Sequence, residues 1–327
     1  MSGSSRRGRF GQEQIILAIA IVVFGIFSIL APNFLSAGNI VSMVQGVSVL
    51  GILGLGMAIT VLGRGIDLSI VASMSVAIAW MLVQLNAGVP RAQALPLAIG
   101  FSVLVGIING ILVAYVEVPA IFATLAMGVA VYGFGKYFLV ESDVSHLPEN
   151  WRWLADLVTA RPLGVPVPVI AFLGCAVLTH FALRYLRDGR FIYAMGDNPM
   201  AARTTGVPVR VLMVIQYVIS ALIALLAGLL MTMLVASMNM RIVSGTLVYD
   251  VILVVVLGGI SLSGGRGGIL SVVVGTLLIG IMLNGMTMLN LTYTAQNVIK
   301  ALILLFALVL DTLINPRDEQ TAQQGDI

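Results

Sequence analysis

Ten long runs of apolar residues, separated by short breaks that hold most of the charge, constrain this chain more than any other feature. A helix that crosses a bilayer needs roughly 20 mostly apolar residues. The runs lie at about 14–31, 42–63, 68–86, 94–115, 120–140, 164–184, 211–236, 247–260, 269–290 and 296–314. The run 247–260 is too short to cross comfortably, so it is tilted, half re-entrant, or extended through the preceding loop. Composition leads to the same place. The 327 residues are 59% hydrophobic and 9% charged, with a mean hydropathy of +1.07, against about 45–50% and about 25% in a soluble domain. A soluble domain of this length could not keep so many apolar side chains from water. A soluble globular enzyme, a disordered protein and a nucleic-acid binder are excluded together. The solvent is lipid, and the 35 glycines and 16 methionines suit closely packed spanning helices. The fold class is therefore all-α integral membrane, with about ten transmembrane helices.

Charge orients the stack, because basic residues collect on the cytoplasmic side. Arg6, Arg7 and Arg9 precede the first run and place the N-terminus in the cytoplasm. Ten crossings then bring the C-terminus back inside and divide the chain into a cytoplasmic tail (1–13), a transmembrane domain (14–314) and a second cytoplasmic tail (315–327). The break at 185–210 also falls inside, with Arg187, Arg190, Arg203 and Arg210; the break at 141–163 falls outside and is acidic. The net charge of +3 follows from juxtamembrane arginines and requires no nucleic-acid partner. The stretch 15–30 runs on to Ala-Pro-Asn without a small-x-small site, so no cleavable signal peptide is expected. Trp151 and Trp153, in the outer loop, mark the headgroup belt. Cys175 is the single cysteine and His146 and His180 the two histidines, which suggests neither a disulfide nor a metal site.

The inner loop carries the most local information. Residues 196–208 read Gly-Asp-Asn-Pro-Met-Ala-Ala-Arg-Thr-Thr-Gly-Val-Pro. Asn198 is a good N-cap and Pro199 is pre-set for the first helical position. Ala201, Ala202 and Arg203 tolerate or favour helix, Gly206 supplies a left-handed stop, and Pro208 prevents continuation. The product is a helix of about two turns, too short to span. So short a helix is marginal alone. It either packs its Ala-Ala face into a partner's groove or lies as an amphipathic linker on the membrane surface.

Polar residues at membrane depth are the other candidates. Asp67 opens the third run, where it caps the helix start or serves in gating, paired with Arg64. Asp250 is expected to face Arg241, and Lys300 and Asp311 to snorkel to opposite interfaces. Asn109, Gln216, Asn284 and Gln296 suit interhelical hydrogen bonds. Gly264, Gly265, Gly267 and Gly268 lack the Lys-Ser/Thr of a phosphate loop. They read as a tight inner turn that holds Arg266 at the membrane face. No catalytic constellation or metal-ligand cluster stands out in the sequence.

Three of these stretches carry a resemblance. Gly196, Asn198, Ala201, Ala202 and Gly206 make the pattern Gly-x-Asn-x-x-Ala-Ala-x-x-x-Gly, which resembles the coupling segment of ABC-importer permeases of the ribose/simple-sugar type. Gly65-Ile66-Asp67-Leu68-Ser69 resembles that family's Gly-Gly-Ile-Asp-Leu-Ser signature, with Arg64 where a glycine is usual. The stretch from Leu257 to Gly267 resembles its Ile-Gly-Gly-Thr-Ser-Leu-Ser-Gly-Gly-Arg-Gly run. Upstream the match departs, since the stretch from Leu247 to Val254 keeps only Asp250 and Ile252 of a usual Tyr-Glu-Leu-Asp-Ala-Ile-Ala-Ala. The resemblance implies a dimeric, multi-pass protein of a bacterial inner membrane that is not itself an enzyme. It implies that ATP and Mg bind separate cytoplasmic ATP-binding subunits, that this chain holds no cofactor, and that an external solute-binding protein delivers a small sugar or polyol. Gly196, Asn198, Pro199, Ala201, Ala202, Arg203 and Gly206 would then couple to the ATPase. Arg64, Asp67, Asn109, Asp250 and Asn284 are pathway or gating candidates, beside the inner turn Gly264, Gly265, Arg266 and Gly267. Two alternatives stay open: a branched-chain amino acid permease of similar architecture, and an ion-coupled carrier with Asp67 or Asp250 as its proton site.

Overall fold

The computed structural model describes residues 12–314. Both cytoplasmic tails of the sequence reading, apart from residues 12 and 13, lie outside them. The first half of the bundle is α1 (Gln12–Leu30), α2 (Ala37–Leu62), α3 (Ile70–Asn86), α4 (Arg91–Ala114) and α5 (Ala120–Phe134), the last prolonged by a π-turn, Gly135–Leu139. A loop follows with strand β1 (Val144–His146) and the short α6 (Arg152–Thr159), then α7 (Val167–Tyr185). Two small helices, α8 (Arg187–Asp197) and α9 (Pro199–Thr204), lead into α10 (Val209–Val235) and strand β2 (Ser237–Asn239). The chain ends in α11 (Leu247–Leu257), α12 (Ile269–Met288) and α13 (Tyr293–Ile314). In lipid, every backbone polar group needs an internal partner, which is why the apolar runs become helices. Prolines punctuate them: Pro90, Pro119, Pro166 and Pro208 each stand immediately before a helix, where the missing N–H costs nothing.

Each of the ten apolar runs thus contains a helix, but they are not equal. Six are long and apolar enough to cross a membrane: α2, α4, α5 with its π-turn, α7, α10 and α12. The other four apolar stretches are shorter: Gln14–Leu30 within α1, α3, α11, and Tyr293–Val309 within α13.

At the centre, α2 is buried from Val47 to Leu62 and packs on α10, α12, α7 and α11. α10 packs most extensively on α4 and also on α2 and α3. The α4 contact is backbone to backbone. A Cβ on Gly106 would lie 2.7 Å from Val218 Cα, and one on Gly110 would lie 2.5 Å from Val214 Cα. Small residues four apart allow this approach where no hydrophobic drive exists between helices.

α11 is the irregular member. Its 11 residues rise about 16 Å at 1.5 Å each, about half of the hydrocarbon thickness. α13 lies alongside and acts as a ruler. Lys300 bonds Asp250, and eleven residues on, Asp311 Oδ2 accepts from the Leu262 backbone N–H at 3.2 Å. Residues 250–262 therefore run level with 300–311, and the chain covers the last part, 258–262, as non-helical backbone. These contacts correct the snorkelling expected of Lys300 and Asp311. Each found a partner on the neighbouring segment, which a rule assuming a lipid surround cannot anticipate.

At the end of α10 remote from α9, β1 and β2 pair antiparallel, with Ser145 opposite Met238. Asp143 joins the same cap, accepting from Lys136 Nζ and Arg241 Nε at 2.8 Å each. Those two cations, Lys136 first, hold its carboxyl below the usual carboxylate range. Arg241 is thereby engaged away from Asp250, which overturns the pairing expected between them. Trp151 packs partly buried against the α3 side of the bundle, and Trp153 is half exposed.

Candidate functional site

The short helix α9 forms as its local chemistry dictates. The Asn198 side-chain oxygen accepts from Ala201 N–H at 3.0 Å, with Pro199 in the first turn. At the other end Gly206 adopts φ +84°, the Val207 N–H reaches Ala202 O, and the Gly206 N–H reaches Arg203 O. This pair of bonds is the Schellman stop. The helix has 6 residues, shorter than the two turns expected. Its alanines do not share a face. Ala201 is exposed, whereas Ala202 is 4% exposed and packs with Met195, Val207, Val209 and Leu212. Ala202 therefore holds the rod to this protein, and Met200, Ala201 and Thr204 are the side chains it offers outward.

Immediately before the rod, three stretches of backbone meet. A Cβ on Gly196 would sit 1.9 Å from Leu62 O and 2.5 Å from Gly265 N, closer than any side chain permits. The Gly265 N–H donates to Leu62 O at 2.9 Å. Arg64, itself left-handed at φ +65°, reaches across with Nε to Gly196 O and its Nη2 to Asp197 O, both at 2.7 Å. Tyr193 of α8 donates to Gly267 O at 3.0 Å. Gly264, Gly265 and Gly267 all take positive φ, as the tight turn requires, and Arg266 is exposed. The entry to the rod is thus joined to the turn that ends α2 and to the turn between α11 and α12. Gly196 belongs to this junction and is buried in it.

Asp67 lies deeper on the same turn and is 1% exposed. Its carboxylate accepts from Ser69 N–H (3.1 Å), Ser69 Oγ (2.6 Å) and, across the bundle, Ser220 Oγ (3.1 Å). Asn109 donates to Ser69 Oγ at 2.7 Å. Asp67 therefore satisfies the start of α3 locally and also ties α3 to α10 and, through Ser69, to α4. The pairing of Arg64 with Asp67 is not formed, because Arg64 turns to the 196–197 carbonyls. Gln216 is fully buried against the turn, its amide beside Gly63 and Gly65.

Asn109 and Asn284 do not share a site. Asn284 exchanges two amide hydrogen bonds of 2.9 Å with Asn39, joining α12 to α2. Asp250 lies in the first turn of α11, 2.7 Å from Lys300. Sequence reasoning missed Ser220, Asn39 and Lys300 as partners. Ser69, two residues after Asp67, was legible as a local turn bond. Among the described residues, no group of three His, Cys, Asp or Glu side chains could hold a metal ion.

The comparisons agree on the kind of protein. Over 306 residues the chain is 34% identical to the ribose import permease protein RbsC of Escherichia coli (strain K12), covering 91% of this chain and 93% of that protein. It is 32% identical over 295 residues to the ribose import permease protein RbsC of Bacillus subtilis (strain 168), covering 90% and 91%. It is 30% identical over 315 residues to the galactofuranose transporter permease protein YtfT of Escherichia coli (strain K12), covering 94% and 92%. No solved structure matches the chain. A family model described as branched-chain amino acid transport system / permease component matches residues 39–308, and the chain belongs to that family of permease components.

Proposed function

We propose that the chain is the membrane-spanning permease subunit of an ATP-driven importer for a small sugar or polyol. The observation that carries this reading is similarity across nine-tenths of both chains to permeases named for ribose and galactofuranose. The family description names branched-chain amino acids, while these full-length relatives are named for sugars, which favours sugar cargo. Family membership also disfavours a carrier that works alone.

Two permease subunits line the path in a bacterial inner membrane, each crossing ten times with both termini in the cytoplasm. An external binding protein delivers the solute, and ATP is bound and hydrolysed by separate cytoplasmic subunits. A ligand shifts a conformational equilibrium only through its different affinity for the two states, so closure of the ATPase has to do mechanical work on the permease. The exposed side of α9 receives it, and the Gly196 junction carries it to the ends of α2 and α12. Support for this route comes from the rod's fixed caps and from the backbone contacts at its root.

Reconstitution tests the reading. Vesicles holding the permease, its ATPase and its binding protein should take up labelled D-ribose only when ATP is present. Uptake by the purified permease alone, abolished by an uncoupler, would overturn it in favour of an ion-coupled carrier.

A further inference from the structure

At the outer side of the bundle, the 242–246 stretch, α11, α12 and α13 frame an open recess with room for about 340 Å³. Asp250 and Lys300 line it, 2.7 Å apart and only 9% and 7% exposed. The Lys300 ammonium also donates to the Thr246 hydroxyl at 3.2 Å, and that hydroxyl lies 3.2 Å from the hydroxyl of Tyr293. Gln296 adds an amide, and Leu283 an apolar wall.

Packing alone does not account for the ion pair. Burying two charges is expensive, and an apolar pair of the same volume would join two helices at least as well. Charges at membrane depth face a partner or a cavity, and here they face both. Gly245 and Thr246, just before α11 and outside any helix, line the recess, and non-helical backbone at membrane depth is tolerated where it lines a cavity.

We infer that this chamber is a transient binding site, within each permease subunit, for a neutral polyhydroxylated solute the size of a pentose or hexose. The inference rests on the importer reading above and assigns that importer's cargo a place. The pair cancels its own charge, which suits an uncharged ligand. Its carboxylate can accept hydroxyl protons while the ammonium donates to a hydroxyl or ring oxygen, and the Thr246 and Tyr293 hydroxyls do either. Leu283 faces the C–H surface of a sugar. Ligand pockets begin at about 300 Å³, so the chamber takes a small molecule. A zwitterionic amino acid would have to split the 2.7 Å contact to bind both charges, whereas hydroxyls bridge its outer lone pairs without separating it.

The test uses the whole importer complex in vesicles, with Ile242→Cys on the chamber's lining and Cys175→Ser removing the native thiol. A membrane-impermeant maleimide added from outside reads the rate of labelling. D-ribose should slow labelling at least threefold and leucine should leave it unchanged. Labelling unaffected by D-ribose, or slowed as much by leucine, overturns the sugar chamber. Adding Asp250→Asn with Lys300→Gln keeps a hydrogen-bonded pair of similar volume without charges. Protection should then vanish and uptake at saturating D-ribose fall about tenfold. Protection and uptake both kept would mean that the pair only holds two helices together. D-ribose uptake by the unmodified complex reads the importer assignment separately: its absence overturns that assignment and the chamber with it, while uptake without protection overturns the chamber alone.

Discussion

The Gly196 junction and the Asp250–Lys300 chamber solve opposite problems with opposite materials. At the junction, Gly196, the end of α2 at Leu62, and Gly265 touch through main chain, with glycine wherever a Cβ would collide. At the chamber, α11 and α13 meet through side chains, the Lys300 ammonium donating to both Asp250 and Thr246. The lesson is one of compliance. Backbone contact holds position, and side-chain contact permits replacement of one partner by a solute.

The largest expected effect lies in the stiff region. Gly196→Ala forces a Cβ into Leu62 O and Gly265 N. It should destabilise the protein by about 1–3 kcal/mol, the usual cost of overpacking, and abolish uptake. Gly25→Ala, with nothing within 4 Å, should melt like the wild type. Thermal melting of both variants, with uptake measured in parallel, decides the matter; equal melting temperatures would break the contrast.

Next comes Arg64→Gly. Glycine relieves the left-handed backbone but removes both bonds to the 196–197 carbonyls. Strain relief and lost charge-assisted bonds oppose each other, so stability should change little. Sugar moved per ATP hydrolysed should fall about fivefold or more, the range of a modest coupling energy. Arg64→Lys should not restore it, because a single ammonium cannot fork to two carbonyls. An unchanged transport ratio would remove Arg64 from the coupling route.

The smallest effect belongs to the cap around Asp143. Asp143 is held below the ordinary carboxylate value of 3.8 by Lys136 and Arg241. Its contribution to stability is therefore complete above that value and fades as pH falls through the lowered one. The pair is partly exposed, so salt should weaken it. Melting curves taken on either side of pH 4 should diverge less for Asp143→Asn than for the wild type; parallel curves would dismiss the cap as a contributor.

What the sequence made legible was whatever its neighbours decide. Asn198, Pro199 and Gly206 delimit α9 because capping and left-handed stops are settled within a few residues. The apolar runs found their helices because lipid leaves the backbone little choice. Partners far along the chain were not legible: Asn39 is 245 residues from Asn284, Ser220 is 153 from Asp67, and Lys300 is 50 from Asp250. Ala202 was misread for the same reason, since its neighbours Val209 and Leu212 belong to the next helix. Periodicity does not say which side of so short a rod faces home.

The close seating of α4 on α10 has a consequence for how a push on α9 spreads. Only Thr205, Gly206, Val207 and Pro208 separate the rod from α10. Gly106 and Gly110 are notched against Val218 and Val214, so α10 cannot slide lengthwise without riding up over its neighbour's main chain. The two helices are geared rather than greased, and a tilt imposed at the foot of one must carry the other along as a single strut.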